Sequence, residues 1–327
     1  MLIYARQWVK LMMAAWTCLA LPSLAQPFPN KTMTIVSVFA SGQGPDIVGR
    51  IVAEKLSKSW GQSVIVEPRP GANGFLAFQA VKRANPDGHQ LLLASDNQFI
   101  TVPLLFKDAP YDLDADFVPV AAIYWLPFFV AVSTTGPYKS FPDILKAAAA
   151  RPGRLVFGMP SIGSSAHFAA ARLEHQLGLS MNHVAFKENA ALFTAIINGD
   201  VDWTIASAST AGAFLRAGKI RFLGIAAKER FATHPTLPTL EEAGGPANFE
   251  VTSWVVLFAP SRTPNAVVEK IDRDVRAVLQ NDQALRDRFK ALAVEPLVLR
   301  REDIKKRIEA QRGQIAEVVR RTGIKAD

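Results

Sequence analysis

The chain has 327 residues, of which 49% are hydrophobic and 20% charged, with a formal charge of +8 and one cysteine. That length sits at the upper end of what one core organises and implies two domains. A single cysteine excludes an internal disulfide, and the five histidines (89, 167, 175, 183 and 234) show neither an HExxH motif nor close ligand spacing, so no metal site is expected.

Arg6 and Lys10 precede or flank an apolar run at residues 11–21 that is too short to span a bilayer, followed by Ser23-Leu24-Ala25. This order is that of a secretory signal peptide over residues 1–25, cleaved after Ala25; the competing reading is a short membrane anchor or buried helix. Ala15-Trp16-Thr17 before Cys18 lacks the small-residue context of a lipoprotein site, so no lipid anchor is expected. Cleavage would remove the cysteine and two cations, taking the formal charge from +8 to +6. A basic surface can steer anions. No basic block is interleaved with aromatics, so nucleic acid is not an expected partner.

Beyond residue 25, short β-rich runs alternate with amphipathic stretches. Residues 32–39, 63–66 and 90–94 read as strands, separated by helices at 47–60 and 74–84. This rhythm indicates a largely parallel sheet with helices on both faces, an α/β fold. Residues 118–132 read as strand passing into strand, interrupted at Pro127, and carry the chain across to a second lobe. The rhythm then restarts, with helices at 141–150, 165–177, 190–197 and 211–217 and strands at 155–157, 184–186, 201–206 and 220–226. Residues 251–259 form a returning strand, followed by helices at 264–279, 284–292 and 301–321. Two comparable halves with two crossings predict a hinged bilobal protein, its ligand crevice beyond the carboxyl ends of the strands.

Two strand-to-helix loops are suited to an anion. In residues 39–46, Gly42 and Gly44 permit close backbone approach, Pro45 suits a first helical turn, and free N–H groups at a helix start receive negative charge. The spacing misses both the P-loop and GxGxxG patterns. An ordinary β–α turn is the alternative reading. In residues 158–167, Ser164 or Ser165 can cap the helix and donate to a carboxylate. Gly163-Ser164-Ser165-Ala166 is not a nucleophile elbow, and His167 reads as a helix-face residue beside a cap rather than a catalytic base. Further candidates are the run Ser95-Asp96-Asn97-Gln98, Lys187 (a ligand counter-charge or an ordinary surface lysine), and residues 207–209 at a strand end. Asp200, Asp202 and Trp203 flank a strand and suit an edge feature equally well.

In order along the chain stand Asp46-Ile47-Val48-Gly49-Arg50, Val66-Glu67-Pro68-Arg69-Pro70-Gly71-Ala72, Asn85-Pro86-Asp87-Gly88, Tyr111-Asp112-Leu113 with Asp116-Phe117, Gly163-Ser164-Ser165-Ala166-His167, Ala217-Gly218-Lys219-Ile220-Arg221, Leu237-Pro238-Thr239-Leu240 with Glu242-Ala243-Gly244, and Phe258-Ala259-Pro260. With these markers the chain closely resembles the tripartite tricarboxylate transporter substrate-binding (Bug) receptors of Gram-negative bacteria, over essentially everything after residue 25. The resemblance implies a two-lobed, type II-like Venus-flytrap periplasmic binding protein with two interlobe crossovers. Its first lobe is expected at 26–124 and 250–327, its second at 125–249. It implies a monomeric receptor without cofactor, not an enzyme, that captures a small organic carboxylate for integral-membrane permease subunits. A sensing role, or less readily a carboxylate-metabolising enzyme using Asp46 or His167, stands as the alternative.

Carried onto this sequence, the family's carboxylate loops correspond to 39–46 and 159–167. The contacting residues are Ser41, Gly42, Gly44, Asp46, Ser161, Gly163, Ser164 and Ser165, partly through water. Asn97, Phe186, Lys187 and Ser207 are nominated for the opposite end of the ligand. Two departures stand out. Ser41 and Gln43 add side chains to a usually glycine-rich loop, and Phe186-Lys187-Glu188 replaces a usual Tyr-Lys-Gly. Facing the cleft, Glu188 would oppose a second negative charge on the ligand; facing solvent, it would not.

Overall fold

The computed structural model describes residues 28–323 apart from 107, 161, 187, 232 and 233. The expected export segment, and Ser161 and Lys187 among the nominated residues, lie outside the described residues. Strands β1 (Met33–Ser37), β2 (Val64–Pro68) and β3 (Gln90–Ser95) pair in parallel with β1 in the middle. Leu91 to Ala94 of β3 are all buried, as expected of a parallel strand covered on both faces. Helix α1 (Gly44–Trp60) follows β1 and buries Val48, Ile51, Val52 and Leu56, one stripe at helical period. Pro45 lies in its first turn, and it stops at Gly61, whose φ of 63° few side chains tolerate. Helix α2 (Phe75–Lys82) follows β2.

Strand β4 (Phe117–Ser133) corrects the expectation of a break at Pro127, because the strand runs through all 17 residues. Phe117 to Pro127 pair antiparallel with β9 (Thr252–Pro260), and from Phe128 onward the partner becomes β7 (Trp203–Ser207). Pro127 therefore stands where β4 changes partners, a place where a missing N–H interrupts no continuous ladder. Register shifts after Pro119 and Ala122, and again between Val130 and Ala131, add local bends.

The second αβ set comprises α3 (Phe141–Ala150), β5 (Val156–Met159), α4 (Ser165–Leu177), β6 (Asn182–Ala185), α5 (Asn189–Asn198), β7, α6 (Ala208–Arg216) and β8 (Ile220–Ile225). Strands β5, β6 and β7 are parallel, while β8 runs antiparallel to β4. After β9 come α7 (Asn265–Asn281), α8 (Gln283–Ala291), a two-residue strand β10 (Glu295–Pro296) against β4, and α9 (Arg301–Thr322). The strand order is β2-β1-β3-β9-β4-β7-β5-β6, and β4 links the two parallel sets.

Each parallel set carries its own aromatic core. Phe99 meets Trp254 edge-on at 5.3 Å and Phe258 at 5.1 Å in one. Phe157 meets Trp203 at 4.8 Å in the other. Burying one such ring removes enough apolar surface for about 2–3 kcal/mol. Ile304 and Ile308 of α9 are buried on the first core and Ile315 packs beside them, one apolar face of that helix.

Candidate functional site

The carboxyl ends of β1, β2 and β3 open into one group of loops, and those of β5, β6 and β7 into another, the position that a parallel sheet reserves for ligands. After β1, Ser41, Gly42 and Gly44 are exposed, with Gly42 at φ 82°. The loop is held from within. The Gly42 N–H donates to Asp46 Oδ2 at 2.9 Å, and the Ala40 N–H to Gln43 Oε1 at 3.2 Å. The Gln43 side chain, one of the two additions to this loop, thus staples the turn. Asp46 is 1% exposed and also receives the Arg50 fork at 3.0 and 3.1 Å, so its carboxylate is spent on fixing the loop. Helix α1 has no side-chain cap, so the Gln43 side chain answers none of its first-turn N–H groups.

In the second group, Gly163 takes φ 76° and its N–H donates to His167 Nδ1 at 3.1 Å. Ser164 caps α4, accepting from the His167 N–H at 3.3 Å. His167 must present a bare nitrogen to Gly163, so it serves as a neutral clamp. Burial, with the charge of His183 beside it, holds its pKa below that of a free imidazole. Ile162 at the tip is 58% exposed. A Cβ on Gly163 would lie 2.8 Å from Leu105 Cδ1, beyond β3, so the two loop groups meet at this point.

The other nominated residues are more dispersed. Asn97 is half-buried in a π turn after β3. Phe186 is half-buried and packs on the core beside α5, its N–H bonded to the Met159 carbonyl at 2.9 Å. Ser207 is buried, caps α6 through the Thr210 N–H at 3.3 Å, and lies 3.0 Å from Ser209 Oγ. Glu188 is exposed. Asp202 lies at the amino end of β7, away from these loops. It accepts from the Tyr138 hydroxyl at 2.8 Å and the Val156 N–H at 2.7 Å, an edge anchor.

Asp96 was legible as a carboxylate near the loops but not as what it does. It is buried and accepts from Gln311 Nε2 at 2.7 Å, Ser253 Oγ at 2.8 Å and the Trp254 N–H at 3.4 Å, tying β3, β9 and α9 together. Burial pushes its pKa above the usual carboxylate range, against the pull of those donors. Beside it lies a cavity of about 310 Å³ lined by Thr101, Ser165, Arg172, Glu250, Arg307 and Gln311 among others. Arg172 and Arg307 were passed over in the sequence, although Ser165, Phe168, Ala169 and Arg172 follow helical spacing along one face.

Residues 48–324 match the family model of the tripartite tricarboxylate transporter family receptor. A UPF0065 protein of Bordetella bronchiseptica is 30% identical over 301 residues, 92% of this chain and 88% of the relative. Among solved structures, Rpa4515 of Rhodopseudomonas palustris with adipate shares 28% identity at a TM-score of 0.77, covering 91% of this chain and 99% of that one. MatC of the same organism with bound malate shares 29% at 0.72, covering 89% and 100%. The chain belongs to the receptors of the tripartite tricarboxylate transporter family, whose α/β two-lobed periplasmic binding fold it shares.

Proposed function

We propose that this receptor captures a small organic carboxylate between its two groups of strand-end loops and delivers it to the permease subunits of a tripartite tricarboxylate-type transporter. The observation that carries the reading is that each parallel set has a helix starting beyond the carboxyl end of a strand, α1 after β1 and α4 after β5. Each is preceded by a positive-φ glycine, and the two loop groups meet where Gly163 approaches Leu105. Relatives with adipate and malate bound support the ligand class. In this reading Ser41, Gly42, Gly44, Ser161, Gly163, Ser164 and Ser165 receive the carboxylate, and Asp46 contributes from beneath by fixing Gly42. Asn97, Phe186, Lys187 and Ser207 surround the rest of the solute.

The lobes are residues 26–124 with 250–327, and 125–249. Strands β4 and β9 serve as the two crossovers about which the lobes close, and residues 1–25 are an export signal cleaved after Ala25. The test is calorimetry on refolded, guest-free protein with mono-, di- and tricarboxylates. One class should bind saturably, at about 100 times Kd stabilising the fold by about 2.7 kcal/mol. Gly163→Val and Ser165→Ala should weaken that binding about tenfold while the unliganded protein still folds. A panel that never binds, or variants that bind like the parent, would overturn the assignment.

A further inference from the structure

The cavity beside Asp96 carries more positive charge than its own structure uses. Its walls hold three cations, Arg172, Lys228 and Arg307, against two carboxylates, Asp96 and Glu250. Both carboxylates are engaged: Asp96 by Gln311, Ser253 and Trp254, and Glu250 by Arg307 at 3.3 Å. Arg307 also reaches Thr252 Oγ1 at 3.1 Å, so its charge is largely answered.

Arg172 is different. Its guanidinium lies 4.3 Å from the centre of the Phe249 ring and one terminal nitrogen donates to the Glu250 carbonyl at 2.7 Å. Among the described residues no carboxylate lies within ion-pair distance of it, and its Nε is buried without a hydrogen-bond acceptor. A half-buried cation in that state carries a desolvation cost that an anion at the cavity wall would offset. The same chain shows what a guanidinium does when an oxyanion is available, in the two-pronged contact of Arg50 with Asp46 at 3.0 and 3.1 Å.

We propose that this cavity, between α4, α9 and the segment leading into β9, is an oxyanion site with Arg172 and the exposed Lys228 as its cations and the amides of Gln311 and Gln314 beside them. Ser165 is its one wall shared with the proposed solute loops. The oxyanion is either the second carboxylate of the solute or a free anion held alongside it.

Sodium sulfate titrated into the purified protein at constant ionic strength, followed by calorimetry, is the test. Wild type should bind saturably, Arg172→Gln about tenfold or more weakly, and Lys228→Gln also measurably more weakly. If Arg172→Gln fails to fold, Lys228→Gln decides, since its side chain is exposed and carries no packing. Competition between sulfate and adipate identifies the solute's own second carboxylate, and simultaneous binding identifies a free anion. No saturable sulfate binding, or equal affinity in wild type and variants, would overturn the site. Carboxylate binding that is sensitive to Gly163→Val with no sulfate binding refutes this site alone. Sulfate binding with no carboxylate bound refutes the solute reading alone.

Discussion

Replacing Asp96 by alanine should destabilise the protein more than any loop substitution considered above. The carboxylate is buried and answers three donors from two distant parts of the chain, at 2.7, 2.8 and 3.4 Å. Without it, the Gln311 amide and the Ser253 hydroxyl lose well-formed bonds, each worth about 1–3 kcal/mol when a buried donor is left unmet. The longer Trp254 bond adds little. Against this stands the relief of a buried charge, which burial already disfavours enough to raise its pKa. The balance is about 2–4 kcal/mol, or a melting temperature about 5–10 °C lower for a chain of this size. Asp96→Asn keeps one acceptor but turns an amide toward Gln311 Nε2, so it should recover only part of the loss. Scanning fluorimetry on the unliganded protein reads the shift, and Trp254, bonded to Gln311 at 2.7 Å, reports the same junction by fluorescence. An alanine variant melting within about 1 °C of wild type would refute the argument that Asp96 ties β3, β9 and α9 together.

Two further outcomes follow from the loops. Asp46→Ala should cost about 1–2 kcal/mol by calorimetric unfolding and weaken carboxylate affinity, because Gly42 loses its acceptor. Asp46→Asn should restore most of both, since the half-exposed Arg50 ion pair contributes little in water. His167 should make the second loop pH-sensitive. Its folded pKa lies below the unfolded value of about 6.5, so its stabilising contribution is complete above that pH and is lost as pH falls through the folded pKa. The melting-temperature advantage of wild type over His167→Phe should therefore shrink as pH is lowered from 7 toward 5, and a constant difference would exclude the Gly163 clamp.

What the sequence made legible follows from interaction range. Helix α3 at Phe141–Ala150 and helix α4 at Ser165–Leu177 end where they were expected because their signals are local: a serine at the start, an arginine-proline-glycine or glycine stop at the end. Gly42 was legible as a point of close backbone approach and Gly163 through the family resemblance, and both adopt the positive φ that few other residues tolerate. Pro127 misled for the opposite reason. Its local preference says strand end, but its tolerance is decided by which strands pair on either side, and those lie at 203–207 and 252–260. Asp96 was opaque on the same grounds, since its partners stand 157 to 215 residues away in sequence. Asp46 was half-legible: its spacing of four from Arg50 announces a helical ion pair, but not the turn back to Gly42.

Both loop groups are bonded within themselves. Asp46 holds Gly42 and Gln43 holds Ala40 on one side, while His167 holds Gly163 and Ser164 caps α4 on the other. Such loops lose little conformational freedom when a carboxylate arrives, so affinity need not offset the ordering of either loop. If capture proceeds by closure of the two lobes, the remaining cost falls on the elements that link them. Those are β4, with its register shifts and Pro127 at the change of partner, and the Asp96 junction that joins β9 to α9. Substitutions there should alter affinity for every ligand by the same factor, because they change the closing equilibrium rather than any contact with the solute. Substitutions in the loops should instead change the ranking of ligands. A ligand panel measured on Ser253→Ala, which loosens the Asp96 junction, and on Ser165→Ala separates the two, since uniform weakening in the second and reordering in the first would invert the assignment.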